Sequence, residues 1–240
     1  MDRSARWTAA ARARESARPD RLFDDPWAAA LAGGVDAGPE NRYLPVRTRY
    51  FDDAILAARC PQVVLLGAGL DTRAWRLPLP PATTVFEVDR AGGLGPKRSL
   101  VPVPPGCARR EVEADLSAPD WTVPGLDGGA PVLWVAEGLL FHLAADAVER
   151  LLARAAALSR GGGRLLADVF GTGLLRLPSL AGRRPAPFCT DDPAGLFGRA
   201  GWTACAWDLA GSPAANYGRL GGRAGVGDPG MRTYLVNASV

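Results

Sequence analysis

Between residues 62 and 73 the chain reads Gln62-Val63-Val64-Leu65-Leu66-Gly67-Ala68-Gly69-Leu70-Asp71-Thr72-Arg73. An unbroken apolar and β-branched run fits a strand buried on both faces, as in parallel sheets. The run stops at Gly67-Ala68-Gly69. Glycines there permit positive φ and let bare backbone approach a ligand that a Cβ would keep away. A second β-like run then closes on Glu87 and Asp89, where an acid at the next strand end can meet the hydroxyls of a ribose. These two runs constrain the chain to an α/β fold with a nucleoside ligand at the C-terminal ends of its strands.

The rest of the sequence extends that pattern. Strand-like runs are expected at 62–66, 84–88, 109–113, 131–136, 163–170, 202–208 and 232–238. Between the fourth and fifth, Ala144–Ser159 has helical spacing, with Val148, Leu151, Leu152, Ala155 and Leu158 on one stripe and Arg160-Gly161-Gly162 as its stop. Strands alternating with helices predict a doubly wound, mostly parallel seven-stranded sheet. Ahead of it lie three helical stretches. The first covers residues 4–18, the second begins after Asp25 with Pro26 in its first turn, and the third covers 44–59. Residues 171–190 and 211–230, rich in Gly and Pro, read as cover segments. The organisation expected is one domain over 1–240. Residues 1–60 form a helical N-terminal cover, 61–170 the cofactor-binding core, 171–200 a short lid and 201–240 the C-terminal strands.

Composition excludes several classes of function. At 240 residues with 48% hydrophobic content, such a chain buries roughly 70–75% of its unfolded surface and needs no staples. Four cysteines (Cys60, Cys107, Cys189, Cys205) without CxxC spacing, and a single histidine, give no metal site and point to reduced thiols. The net charge of +3 comes from scattered arginines. Arg12, Arg14, Arg18 and Arg21 alternate with Glu15, Asp20, Asp24 and Asp25, so no nucleic-acid partner is expected. No run approaches the ~20 apolar residues of a membrane span. The first residues lack a signal-peptide core. The expectation is a cytoplasmic protein with no membrane partner; the oligomeric state is open.

The glycine turn also discriminates between cofactors. A nicotinamide dinucleotide fingerprint wants a third glycine, where this chain has Thr72, and Asp71 would repel a pyrophosphate. S-adenosylmethionine carries no phosphate, and its ammonium end suits an acid. Asp115-Leu116 after the third strand and Glu137 after the fourth add acids at successive strand ends, which line one crevice in a doubly wound sheet.

The chain resembles the leucine carboxyl methyltransferase family, in particular its bacterial branch of small-molecule and polyketide O-methyltransferases. The resemblance rests on Arg12-Ala13-x-Glu15-Ser16, Leu22-Phe23-x-Asp25-Pro26, Arg47-Thr48-Arg49-x-Phe51-Asp52, the 62–73 motif, Phe86-Glu87-Val88-Asp89 with Lys97, Asp115-Leu116 and Trp134-Val135-Ala136-Glu137-Gly138-Leu139-Leu140. The C-terminal Gly201-Trp202, Tyr217-Gly218-Arg219 and Arg232–Val236 are also similar to that branch. The resemblance implies S-adenosyl-L-methionine as cofactor. Arg47 would pair with its carboxylate, and Gly67, Ala68, Gly69 and Asp71 would form the turn against its methionine part. Asp89, more than Glu87, would take the ribose hydroxyls, Asp115 and Leu116 would border the adenine, and Glu137 would face the ammonium. Glu87 has a second reading, in which strand alternation points it away.

Two departures fall on the acceptor side. Family members usually carry a tyrosine after the Glu-Gly-Leu-Leu-x segment, where this chain has His142, preceded by Phe141. The chain is also shorter than typical members in the region of the expected lid. The acceptor read from this is a small molecule, a carboxylate in preference to a phenol. Phe141, His142 and Arg49 are the candidate substrate residues, Arg183-Arg184 a further source of a guanidinium, and His142 the candidate general base. Two alternatives stay open: a family member that binds the cofactor without methylating, and a nicotinamide-dependent oxidoreductase.

Overall fold

The two strands flanking the glycine turn's crevice are the most deeply buried in the molecule. In the computed structural model, which describes residues 3–39, 41–177, 187–209, 217–220 and 232–240, β1 (Gln62–Leu66) and β4 (Val132–Ala136) are buried along their whole length. The remaining strands are β2 (Thr84–Asp89), β3 (Ala108–Glu113), β5 (Gly163–Phe170), β6 (Thr203–Asp208) and β7 (Thr233–Ser239). They form a seven-stranded sheet in the order β3-β2-β1-β4-β5-β7-β6. The pairs β1–β2, β1–β4, β2–β3 and β4–β5 are parallel, while β7 runs antiparallel to both neighbours. The chain winds outward from β1 to β3 and restarts on the other side at β4. That reversal opens a crevice between β1 and β4, where doubly wound sheets bind ligands.

Alternation along the strands divides the core. Val64, Leu66, Phe86, Val88 and Trp134 face α6 (Ala145–Ala157), whose Val148, Leu151, Leu152 and Ala155 are buried against them. Val63, Leu65, Val85, Leu133 and Val135 face the opposite way and meet Phe51 and Ile55 of α3 (Tyr43–Ala58). A third cluster joins α1 (Arg3–Ser16) and α2 (Ala28–Ala32) through Ala9, Ala10, Ala11, Leu31 and Ala32, and it includes Leu70 of the turn. The N-terminal helices thus sit over the end of β1.

The seven strands lie within one residue of their expected limits, and the long helices within two. Three short α-helices were not expected, α4 (Arg73–Arg76), α5 (Gly95–Leu100) and α7 (Pro193–Arg199), nor were the 3-10 turns Leu140–His142 and Thr172–Arg176. The third helix lies within the 171–200 segment. Leu196 and Phe197 are buried with Trp202 in the core, and Asp192 caps the helix by accepting from the Gly195 N–H at 2.9 Å. Residues 178–186, including Arg183-Arg184, lie outside the described residues, as do 210–216 and 221–231 of the second cover segment. No helix among the described residues is long and apolar enough to cross a membrane.

Candidate functional site

The turn after β1 is held by its neighbours. Gly67 and Gly69 have φ of +66° and +41°, the region glycine enters at least cost. A Cβ on Gly67 would lie 2.9 Å from Leu139 Cδ1. The Ala68 N–H donates to Val88 O at 3.0 Å, and the Gly69 N–H donates to Asp89 Oδ2 at 2.6 Å. Asp89 Oδ1 accepts from the Arg90 N–H at 2.7 Å. The carboxylate that closes β2 is therefore fixed against the turn while it stays half-exposed to the crevice.

That crevice is a cavity of about 840 Å³, within the ~300–1,000 Å³ range of ligand clefts. Its walls bring together Arg47, Gly67, Ala68, Gly69, Asp71, Asp89, Asp115, Leu116, Glu137 and His142. Ser4, Ala5, Thr8 and Arg12 of α1 line it as well. Arg12 secures that helix: its Nη2 donates to Leu70 O at 2.7 Å and its Nε to Asp25 Oδ2 at 2.9 Å. Thr72 donates to the same Asp25 oxygen at 2.8 Å. The residue standing where a dinucleotide fingerprint has its third glycine thus latches the N-terminal segment onto the turn.

Beneath the cavity, four carboxylates (Asp52, Asp71, Glu137, Asp168) meet three guanidiniums (Arg47, Arg73, Arg76). Arg73 reaches Asp52 at 2.7 Å, Asp71 at 2.6 Å and Glu137 at 2.6 Å. Burial would raise the Asp71 pKa, but Arg73, then Arg76 and Lys97, hold the carboxyl at about 2. Arg47 donates through Nε to Glu137 at 3.1 Å and through Nη1 to Asp168 at 3.1 Å. Burial works against its charge, yet Asp168, Tyr43 and Glu137 keep it above the ordinary arginine value. Tyr43 donates to Asp168 at 2.7 Å; burial first, and then the Asp168 charge, raise its phenol well above the usual range.

Other candidates are placed elsewhere. Arg49 is outside the cavity walls: its Nε bonds Asp53 at 3.0 Å and its Nη1 bonds Leu22 O at 2.6 Å. The residues that claim it are its own i+4 neighbour on the outer side of α3 and the loop before α2. Phe141 is not a cavity wall either; its ring packs against Phe170 at 5.1 Å and His142 at 5.5 Å. Glu87 is fully buried and pairs with Lys97 at 2.6 Å and with Arg109. Strand alternation is not what separates it from Asp89, because residues two apart share a face. Depth is: Asp89 ends β2, and Glu87 lies two residues below the rim, under α5. Burial draws the Lys97 ammonium below its ordinary pKa, an effect that Glu87 opposes.

Tyr43, Arg73 and Asp168 were not among the residues expected at the site. Asp168 did leave a signal, as the lone charge in Leu165-Leu166-Ala167-Asp168-Val169-Phe170. An ionised residue inside an otherwise apolar strand is buried only when paired. Tyr43, at the start of a helix, left none.

Residues 5–156 match the family model described as leucine carboxyl methyltransferase. A protein of Parafrankia sp. (strain EAN1pec) is 46% identical over 192 residues, a match spanning 69% of this chain and 62% of that relative. A Frankia alni protein is 38% identical over 242 residues, 87% of this chain and 84% of the relative. Both are named, provisionally, as S-adenosyl-L-methionine-dependent methyltransferases. A crystal structure from Thermobifida fusca, also provisionally named a methyltransferase, shares the fold with a TM-score of 0.63 at 16% identity, over 98% of this chain and 93% of that one.

Proposed function

The chain belongs to the leucine carboxyl methyltransferase family, and we propose that it is an O-methyltransferase acting on a small, secondary-metabolite-like acceptor. It is an S-adenosyl-L-methionine-dependent methyltransferase. The observation that carries the site reading is the joint placement of Arg47, the Gly67–Gly69 turn, Asp89 and Glu137 on one cavity. The residues fit the cofactor. The turn presents its backbone to the cavity wall where the methionine part would lie, and the partly exposed Asp89 suits a ribose. Four carboxylates against three guanidiniums suit a ligand that brings positive charge.

When bound, the cofactor supplies a methyl group already activated on a sulfonium. The protein's share is positioning and exclusion of water. Arg47 would hold the carboxylate end, Asp89 the ribose, Asp115 and Leu116 the adenine, and α1 would cover the site from above. An acceptor carboxylate is ionised at pH 7 and needs no base. A second reading, a hydroxyl acceptor, is favoured by one observation: His142 borders the cavity while Arg49 does not. In that case His142 would take the hydroxyl proton.

The cofactor site is tested by calorimetric titration with S-adenosylhomocysteine. Asp89→Ala and Arg47→Ala are each expected to abolish measurable binding; tight binding retained by both would sink the assignment. The reaction is tested with methyl-labelled cofactor and panels of small acids and phenols. Label released as methanol by alkali marks an ester and a carboxylate acceptor. Alkali-stable label marks an ether, and His142→Asn should then lower the rate. Cofactor binding with no label transferred to any acceptor would favour a binding protein.

A further inference from the structure

Asp168, on β5, is not itself a wall of the cavity. Its side chain is 1% exposed and every contact is accounted for. Oδ1 accepts from the Gly138 N–H at 2.6 Å, and Oδ2 accepts from the Tyr43 hydroxyl at 2.7 Å and from Arg47 Nη1 at 3.1 Å. Glu137 takes Arg47 Nε from the other side at 3.1 Å.

A guanidinium is a planar fork with donors on three nitrogens. Two of those nitrogens are tied here, by Asp168 on β5 and by Glu137 in the turn after β4, and the plane of the third follows. The side chain also lines the cavity, so the remaining edge of the fork is set relative to it. Gly138 makes the arrangement possible. Its φ is +63°, and a Cβ there would lie 2.9 Å from Nη1 and 3.2 Å from Nη2 of Arg47. Asp168 holds both halves of the contact, the guanidinium and the backbone that lets it come so close.

We propose that Asp168 is a positioning residue for cofactor recognition. Through Arg47 and Gly138 it fixes the guanidinium edge that receives the carboxylate of S-adenosyl-L-methionine, and the Tyr43 hydroxyl holds Asp168 in the orientation required. This rests on the assignment of Arg47 to that carboxylate. The selectivity it produces is for the amino acid end of the cofactor, with the adenosine end left to Asp89, Asp115 and Leu116.

Two ligands separate positioning from general support of the fold: S-adenosylhomocysteine, which has the carboxylate, and 5′-methylthioadenosine, which keeps the nucleoside and sulfur without the amino acid. Dissociation constants for both would be measured on the wild type, Asp168→Asn and Tyr43→Phe. Asp168→Asn is expected to weaken S-adenosylhomocysteine about tenfold or more and to leave 5′-methylthioadenosine within about twofold. Tyr43→Phe keeps the ring that packs on Phe170 and lies under Arg47, and should give a smaller loss with the same selectivity. Equal weakening of both ligands, or of neither, would overturn the positioning role. If Asp168→Asn does not fold, the Tyr43→Phe ratio decides alone, and an unchanged ratio overturns it. A wild type that does not prefer S-adenosylhomocysteine would instead remove the Arg47 assignment, and the proposal with it.

Discussion

A methyl group placed on Gly67 meets two obstacles that can be separated. The backbone there has φ of +66°, and a Cβ would come within 2.9 Å of Leu139. Gly34 has φ of +78° with nothing within 4 Å of its would-be Cβ, so Gly34→Ala carries the backbone strain without the collision. Gly34→Ala is expected to lose about 1–2 kcal/mol, and Gly67→Ala at least as much together with its affinity for S-adenosylhomocysteine. Urea unfolding and calorimetry on both variants check this; unchanged affinity in Gly67→Ala would count against the turn's role. Asp71 makes the second prediction at this scale. Its carboxyl is held at about 2 against an ordinary 3.8, so the folded state prefers the ionised form. The resulting stabilisation, about 2 kcal/mol, is complete above pH 4 and lost as pH falls toward 2. The difference in unfolding free energy between wild type and Asp71→Asn should narrow over that window. A pH-independent difference would show that the Arg73 ion pair is not its source. The turn glycines and Asp71 are legible in the sequence because their demands are local. Of the partners that set the Asp71 pKa, Arg73 is local too, whereas Lys97, 26 residues away, is not.

Among the elements, the strands were legible and α4, α5 and α7 were not, for one reason. A run such as Val132–Ala136 declares itself through composition alone. Helices of four, six and seven residues, as α4, α5 and α7 are, are too short for a 3.6-residue period to repeat, a test that takes windows of roughly 11–18 residues. Pro96 and Pro193 near their starts were the available hints. Yet α5 does specific work. Its Lys97 is fully buried, pairs with Glu87 of β2 at 2.6 Å and donates to Asp71 O at 3.0 Å, so it ties β2 to the turn from behind. Lys97→Met leaves Glu87 buried with Arg109 as its remaining cation, and a loss of about 3–5 kcal/mol is expected. Adding Glu87→Leu removes the stranded charge, and the double variant should recover most of that loss in chemical denaturation. A double variant as unstable as the single would mean that α5 is held by packing instead of by the ion pair.

For the molecule as a whole, the N-terminal helices and the sheet are joined at the cofactor cavity: α1 lines it and Arg12 secures it to Leu70 O. A ligand there should therefore stabilise the entire chain. At a hundred times its dissociation constant, S-adenosylhomocysteine is expected to add about 2.7 kcal/mol, read as a rise in Tm that Asp89→Ala abolishes. A rise that persists in Asp89→Ala would put the ligand elsewhere. The sequence by itself determined the α/β alternation, the strand limits, the glycine turn and the row of acids at strand ends, since periodicity and positive φ are properties of short stretches. The tertiary structure alone decided which charges meet. Arg47 lies 121 residues from Asp168 and 90 from Glu137, and Arg49, two residues along the same helix, meets Asp53 instead. Residue type and membership of one helix do not separate those two arginines. On a helix they project about 200° apart, so packing α3 onto the sheet buries one among acids and turns the other outward.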